Sequence, residues 1–315
     1  MHCLITGANG FVGQALCTAL ASQGHTVRAV SRTTSNKLSD VNATWVDAIN
    51  SATHWFTALQ GITIVIHLAA RVHVMADSAS DPLAEFRKVN LDGTLNLARQ
   101  ASAAGVKRYV FMSSVKVNGE STQLGQAFTE SDQASPQDPY AISKFEAEEG
   151  LRQIAAETGM EVVIIRPPLV YGIGVKANFA ALIRAVQKGW PLPLGAIHNQ
   201  RSLVALDNLV DFIITCATHP LAANQTFLVS DGQDLSTSEL IRAMAQAVGV
   251  PVRMLSVPVW ALQAASSLLG KSDAVQRLCG NLQVDISKAR SLLNWVPPVT
   301  VAEGLRRTVI NRVSN

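Results

Sequence analysis

Thr6-Gly7-Ala8-Asn9-Gly10-Phe11-Val12-Gly13 is the stretch on which the fold turns. An apolar run at residues 2–6 precedes it, and a helically spaced segment at 11–21, closed by Gly24, follows it. Strand, glycine turn and helix in that order are the setting of a dinucleotide loop. Gly7 permits a tight turn, Gly10 lets the backbone approach a pyrophosphate, and Gly13 lets the helix lie close to the sheet. The helix N-terminus offers N–H donors and partial positive charge to phosphates. Glycines alone would equally suit a structural turn; the flanking strand and helix decide against that.

Outward from this unit the pattern repeats. Residues 26–30 read as a strand. Ile62-Thr63-Ile64-Val65-Ile66-His67-Leu68 is apolar almost throughout, as in a strand buried on both faces. Asp81-Pro82 supplies a cap and a first-turn proline for a helix running to about residue 104, and Gly105 closes it. Residues 106–113 form a strand, 139–158 a helix ended by Gly159, and 161–166 a strand. Such alternation predicts an α/β protein: a Rossmann-type, doubly wound parallel sheet covered on both faces. Beyond Pro167-Pro168 the pattern weakens and helices dominate from about residue 235. The expected division is a nucleotide domain of residues 1–166, rejoined by 204–231. A smaller, mostly helical substrate domain comprises 167–203 and 232–315.

Composition narrows the class. With 315 residues, 48% hydrophobic and 16% charged, the chain suits a globular enzyme. A net charge of +3 without basic runs makes no case for nucleic acid. Cys3, Cys17, Cys216 and Cys279 form no metal-spaced cluster and read as free thiols of a reducing, cytoplasmic setting. The glycine turn starts so early that no leader is expected. The longest apolar stretch, 257–269, contains Pro258 and is too short to span a bilayer. It reads as a core or dimer-contact helix.

The chemistry lies in Tyr140-Ala141-Ile142-Ser143-Lys144, with Ser113-Ser114 upstream. Tyr140 and Lys144 share a helix face. A free phenol titrates at about pH 10, too high for a base at neutrality. A nearby ammonium is expected to favour the phenolate and lower that value. Lys144 also suits a nicotinamide ribose, and Ser114, ending a strand, suits a substrate oxygen. The task is to move a carbinol proton as hydride moves at the same carbon. At the end of the second strand stand Ser31 and Arg32, where selection of NAD ordinarily uses an acid; this pair accepts a 2′-phosphate and favours NADP(H) over NAD(H). A solvated Arg32 that tolerates both cofactors is the plainer alternative. Asp47 suits the adenine amino group or, equally, a loop cap.

On these motifs the chain resembles the extended short-chain dehydrogenase/reductases of the NAD-dependent epimerase/dehydratase type, over essentially its whole length. The resemblance rests further on His67-Leu68-Ala69-Ala70, Asn90-Leu91-Asp92-Gly93-Thr94 and Arg166-Pro167-Pro168-Leu169-Val170-Tyr171-Gly172. It also rests on Arg201-Ser202-Leu203-Val204 with Asp207, and on Leu293-Asn294-Trp295-Val296-Pro297-Pro298. It implies catalytic roles for Ser114, Tyr140 and Lys144. It implies cofactor contacts at Gly7, Asn9, Gly10, Phe11, Val12, Gly13, Ser31, Arg32, Asp47, Ala48, Leu68, Ala69, Ala70, Tyr140, Lys144 and Pro167. It also implies UDP-sugar contacts at Asn178 and Arg201, and a homodimer. Arg201 has its own logic, because a guanidinium fork matches a diphosphate. Arg71 and His73 follow a strand at its carboxyl end and are weaker substrate candidates. Asp285 reads as a helix cap.

Two departures shape the expected reaction. Val115 and Lys116 stand where dehydratases carry an Asp-Glu pair, so dehydration is excluded. Val117-Asn118-Gly119 replaces Val-Tyr-Gly, and Lys116 and Asn118 become candidate contacts to the hexose. The run at 114–120 resembles the 4-ketoreductases that make UDP-N-acetylquinovosamine. The leading expectation is therefore an NADP(H)-dependent 4-ketoreductase acting on a UDP-4-keto-6-deoxy-HexNAc. The alternative is a UDP-hexose 4-epimerase with tightly bound NAD. A cofactor-sensing regulator without catalysis fits least, because such a protein has no use for Tyr140 and Lys144.

Overall fold

The computed structural model describes residues 1–32, 42–72, 80–268 and 272–310. Its elements are β1 (His2–Thr6), α1 (Phe11–Ser22), β2 (Thr26–Ser31), β3 (Asn42–Trp45), α2 (Phe56–Leu59), β4 (Ile64–His67), α3 (Pro82–Arg87), α4 (Thr94–Ala103), β5 (Arg108–Met112), α5 (Pro139–Thr158) and β6 (Glu161–Arg166). There follow β7 (Leu169–Tyr171), α6 (Ala177–Gln187), β8 (Leu203–Ala205), α7 (Leu206–Thr218), β9 (Thr226–Leu228), α8 (Thr237–Val248), α9 (Val259–Leu268), α10 (Ser272–Cys279), α11 (Ser287–Leu293) and α12 (Val301–Ile310).

Seven strands form one sheet in the order β3-β2-β1-β4-β5-β6-β9, every pairing parallel. The order reverses between β1 and β4, and ligands of such sheets bind in the crevice beyond the strand ends at that point. Side-chain alternation builds both faces. Cys3 and Ile5 of β1 join Ile64 and Ile66 of β4 under Leu16 and Leu20 of α1 and Phe212 of α7. Leu4 and Val65 face the other way, against Leu97 of α4 and Leu151 of α5. A third cluster, with Tyr171, Phe179, Ile183, Ile241, Met244 and Leu305, packs β7 and β8 against α6, α8 and α12.

Three readings change in detail. The helix expected over 82–104 is broken by a π-helical turn at Lys88–Gly93, between α3 and α4. It turns Asn90 inward and brings Gly93 so close to Ile49 that a Cβ would lie 2.8 Å from its Cγ2. The apolar stretch at 257–269 is not core: Trp260 on α9 is 71% exposed, and Leu269 lies outside the described residues. Asp285 is not the cap of α11 but stands one position before it, the N-cap being Ile286, and accepts from the Ser287 N–H at 2.6 Å. Cys3, Cys17 and Cys216 are buried, and burial pushes the Cys3 thiol up to about 11. Among the described residues no group of three His, Cys, Asp or Glu side chains is placed to hold a metal. None of their helices is long and apolar enough to cross a membrane.

Candidate active site

The glycine turn sits at the switch point. Gly7 has φ +70°, open to glycine, and a Cβ on it would lie 2.8 Å from the Ala69 nitrogen beyond β4. A Cβ on Gly13 would lie 2.8 Å from the Ala8 Cα. Gly10 caps α1 without any side-chain hydrogen bond, so the first N–H groups of that helix face the crevice. Phe11 and Val12 occupy its first turn and pack on the core. The Asn9 amide bonds the Ser31 hydroxyl, tying the turn to the end of β2. Ser31 is buried, and Arg32 beside it is exposed. Asp47 is exposed just past β3, and the Ala48 carbonyl accepts from the Thr53 hydroxyl at 2.9 Å. Leu68, Ala69 and Ala70 line the opposite side, with the Leu68 N–H donating to the Thr6 carbonyl at 3.3 Å. This cradle, walled by backbone that any Cβ would block, fits a dinucleotide.

Buried polar groups join the cradle to the helix that carries Tyr140 and Lys144. The Ala69 N–H donates to Thr6 Oγ1, which donates to His67 Nδ1 at 2.7 Å. The Thr94 hydroxyl is spent on the Asn90 carbonyl, so His67 donates through Nε2 to Thr94 at 3.0 Å. Asn90 Nδ2 reaches Ser143 Oγ at 3.0 Å, and Ser143 donates to the Tyr140 carbonyl. Burial, seconded by the Lys144 charge, pushes His67 down to about 3, so the ring is neutral.

Helix α5 starts where Asp138 accepts from the Ala141 N–H at 2.6 Å, with Pro139 in its first turn. Tyr140 hydrogen-bonds Ser114 and packs edge-on against Phe86. One turn on, Lys144 is 1% exposed; its Nζ donates to the Met112 carbonyl at 2.8 Å and lies 4.4 Å over the Phe111 ring. Burial pushes Lys144 down to about 7, with Glu148 opposing. Tyr140 is pushed up to about 12 by burial and the Asp138 charge, against the Ser114 bond. The expected lowering by Lys144 is therefore not met here: the ammonium is itself desolvated and engaged by the Met112 carbonyl. Ser114 opens a short 3₁₀ turn, accepting from the Lys116 N–H at 3.2 Å, and the Val115 N–H donates to the buried Pro167 carbonyl at 3.0 Å.

The remaining substrate candidates fall into two groups. Lys116 Nζ is held by Glu120 at 2.8 Å and Asp138 at 2.5 Å. Asn118 is 2% exposed, donates to the Thr129 carbonyl and accepts from Arg166, so both ends of its amide are committed to scaffold. Arg71 has its backbone pinned to Asn90 and its guanidinium 5.5 Å from the centre of the Phe86 ring. His73 lies outside the described residues. Asn178 is exposed in the first turn of α6. Arg201 pairs by backbone with Leu235 and Leu282, and its Nη1 donates to the Gly280 carbonyl at 3.0 Å. Burial holds its guanidinium below the usual value, Glu120 opposes this, and the charge of Arg277 adds to it. Arg277, on α10, went unread in the sequence because nothing in its spacing ties it to a residue more than seventy positions earlier.

A sequence profile described as the NAD dependent epimerase/dehydratase family matches residues 3–230. The chain belongs to that family. It is an enzyme of the extended short-chain dehydrogenase/reductase type, with a nicotinamide dinucleotide as cofactor. It is 50% identical over 307 residues to a UDP-glucose 4-epimerase of Vibrio cholerae, spanning 97% of this chain and 93% of that one. It is 28% identical to the N-acetyl-alpha-D-glucosaminyl-diphospho-ditrans,octacis-undecaprenol 4-epimerase of Escherichia coli O157:H7, over 97% and 93% of the two chains. Among solved structures it superposes on the UDP-glucuronic acid 4-epimerase of Bacillus cereus with NAD at a TM-score of 0.79 and 19% identity, covering 100% and 99%. The UDP-glucose 4-epimerase of Thermotoga maritima with UDP-glucose gives 0.78 and 23%, covering 100% and 99%. These two likenesses speak for the fold alone. The half-identical relative overturns the leading expectation of a 4-ketoreductase. That expectation leaned on the run at 114–120, where Lys116 and Asn118 prove to be tied to neighbouring protein groups.

Proposed function

We propose that the chain is a UDP-hexose 4-epimerase that retains NAD through its cycle. The observation that carries this is 50% identity, over 97% of the chain, to a UDP-glucose 4-epimerase. The grouping of Ser114, Tyr140 and Lys144 beside a glycine-walled cradle supports it. Bound NAD would supply the acceptor and donor of hydride. Tyr140 takes the O4 proton of the hexose as its C4 is oxidised, and returns it after the 4-keto sugar has turned its other face. Ser114 holds O4 and the Tyr140 hydroxyl within one hydrogen-bonded set. Tyr140 takes that proton as its phenolate, a form the cofactor-free site disfavours and the positive nicotinamide ring of bound NAD would favour, and Lys144 holds the cofactor ribose. Arg201 and Arg277 flank the diphosphate, which relieves the like-charge contact between them. Asn178 contributes from α6.

The cofactor part comprises residues 1–166 with 204–231, and the sugar part 167–203 with 232–315. Ser31 and Arg32 support acceptance of a 2′-phosphate as well, so NADP binding is read as tolerated rather than required. Cytoplasmic residence and a homodimer complete the reading. The deciding experiment incubates purified protein with UDP-galactose and no added cofactor. Formation of UDP-glucose, with nucleotide absorbance travelling with the protein, is expected. No interconversion, or turnover only with stoichiometric added NADPH, would overturn the reading.

A further inference from the structure

Glu148 is a carboxylate with no role in the chemistry above. It follows Lys144 by four residues and Tyr140 by eight, so all three lie along one face of α5. Its side chain is wholly buried. It accepts from Ser113 Oγ at 2.5 Å, from Arg166 Nε and Nη2 at 2.9 and 2.5 Å, and from Arg152 Nη2 at 2.9 Å. Arg166 also donates to Asn118 Oδ1 at 3.0 Å, and Asn118 donates to the Thr129 carbonyl. Ser113 immediately precedes Ser114, and its N–H donates to the Ile165 carbonyl at 2.8 Å. The ends of β5 and β6 are thus stitched to each other by main chain and to α5 by one carboxylate.

Stability does not account for this arrangement. A buried ion pair recovers little more than its desolvation cost, and apolar packing of the same volume does as well. The neighbouring buried positions on α5, Ala147 and Leu151, take the apolar solution. The charges around the pair are few. Facing Glu148 are Arg166 from β6 and Arg152 from its own helix; facing Lys144 are the neutral His67 from β4 and the Phe111 ring from β5. Glu148 is the anion whose field acts on the Lys144 ammonium.

We infer that Glu148 is a positioning residue, holding the Ser113-Ser114 corner against α5 in its working place beside Tyr140 and Lys144. This rests on the reading of Tyr140 and Lys144 as the proton-handling pair. The test is Glu148→Gln, nearly isosteric and uncharged, assayed for interconversion of UDP-glucose and UDP-galactose. The kcat should fall by about tenfold or more while KM stays within about twofold, the signature of a lost transition-state arrangement. The alkaline limb of the pH–rate profile should move to lower pH, because the ammonium has lost its anion. Glu148→Asp, which keeps the charge, should restore that limb and part of the rate. If Glu148→Gln does not accumulate as folded protein, Ser113→Ala carries the test, since it deletes one partner of the carboxylate. Its kcat should fall with KM retained. Unchanged kcat and an unmoved limb in the folded variant overturn the inference. An active Tyr140→Phe would instead remove the reading on which it rests. An inactive Tyr140→Phe beside a fully active Glu148→Gln removes this inference alone.

Discussion

Replacing the buried Lys144 by methionine should make the nucleotide-stripped protein more stable at neutral pH while removing its activity. The side chain is 1% exposed, and burial brings its ammonium from 10.5 down to about 7. Below that value the folded site carries a charge it disfavours, at a cost on the order of 5 kcal/mol, already net of the Glu148 attraction. Methionine fills similar space without the charge, and gives up the contacts to the Met112 carbonyl and the Phe111 ring. The sharper quantity is the pH slope. The folded value is lowered, so between about pH 7 and 10.5 the unfolded chain holds a proton that the folded site has released, and stability rises with pH. The slope is at most about 1.4 kcal/mol per pH unit for one proton. Lys144→Met should lose this contribution between about pH 7.5 and 9. Lys288, also lowered from 10.5 by burial, acts in the same window but equally in both proteins, while His67 titrates from 6.5 downward, and Cys3 and Tyr140 from 9.0 and 10.0 upward. Urea unfolding followed by far-UV circular dichroism at several pH values measures both slopes. Equal slopes for the two proteins would show that Lys144 is not held near neutrality and would refute the reasoning.

Tyr140→Phe should lower turnover by roughly 100- to 10,000-fold while the protein keeps its nucleotide, checked by steady-state rates and absorbance of the purified variant. Arg201→Ala should raise KM for a UDP-hexose and spare kcat, since phosphate contacts serve ground and transition states alike; loss of nucleotide instead would reverse the proposed division into two parts. Arg32→Ala should weaken NADPH more than NADH in fluorescence titrations, and equal weakening would dismiss a 2′-phosphate contact. Gly13→Ala, whose Cβ would lie 2.8 Å from the Ala8 Cα, should cost about 1–3 kcal/mol and loosen the cradle, read as a lower melting temperature and less retained nucleotide.

The order of elements was legible in the chain because local rules wrote it. The segments His2–Thr6, Pro139–Thr158 and Glu161–Arg166 carry their own periodicity, caps and stops, and each lies where its pattern placed it. The glycine spacing and the four-residue step from Tyr140 to Lys144 needed no tertiary information either. The π turn at Lys88–Gly93 was not legible, because it answers to Ile49 and Ser143 from distant segments. The fates of Lys116 and Asn118 escaped for the same reason: Glu120, Asp138, Thr129 and Arg166 claim them only once the loops are folded. Helical spacing alone put Glu148 on the face of Tyr140 and Lys144. Only the packing of β5 and β6 against α5 gave it Ser113 and Arg166, and the same packing set the direction in which Tyr140 and Lys144 titrate. Periodicity and turn chemistry act between neighbours in the chain, so the sequence alone determined the elements and the motif. Desolvation and partner choice depend on which distant groups close over a side chain, and the tertiary structure decided those.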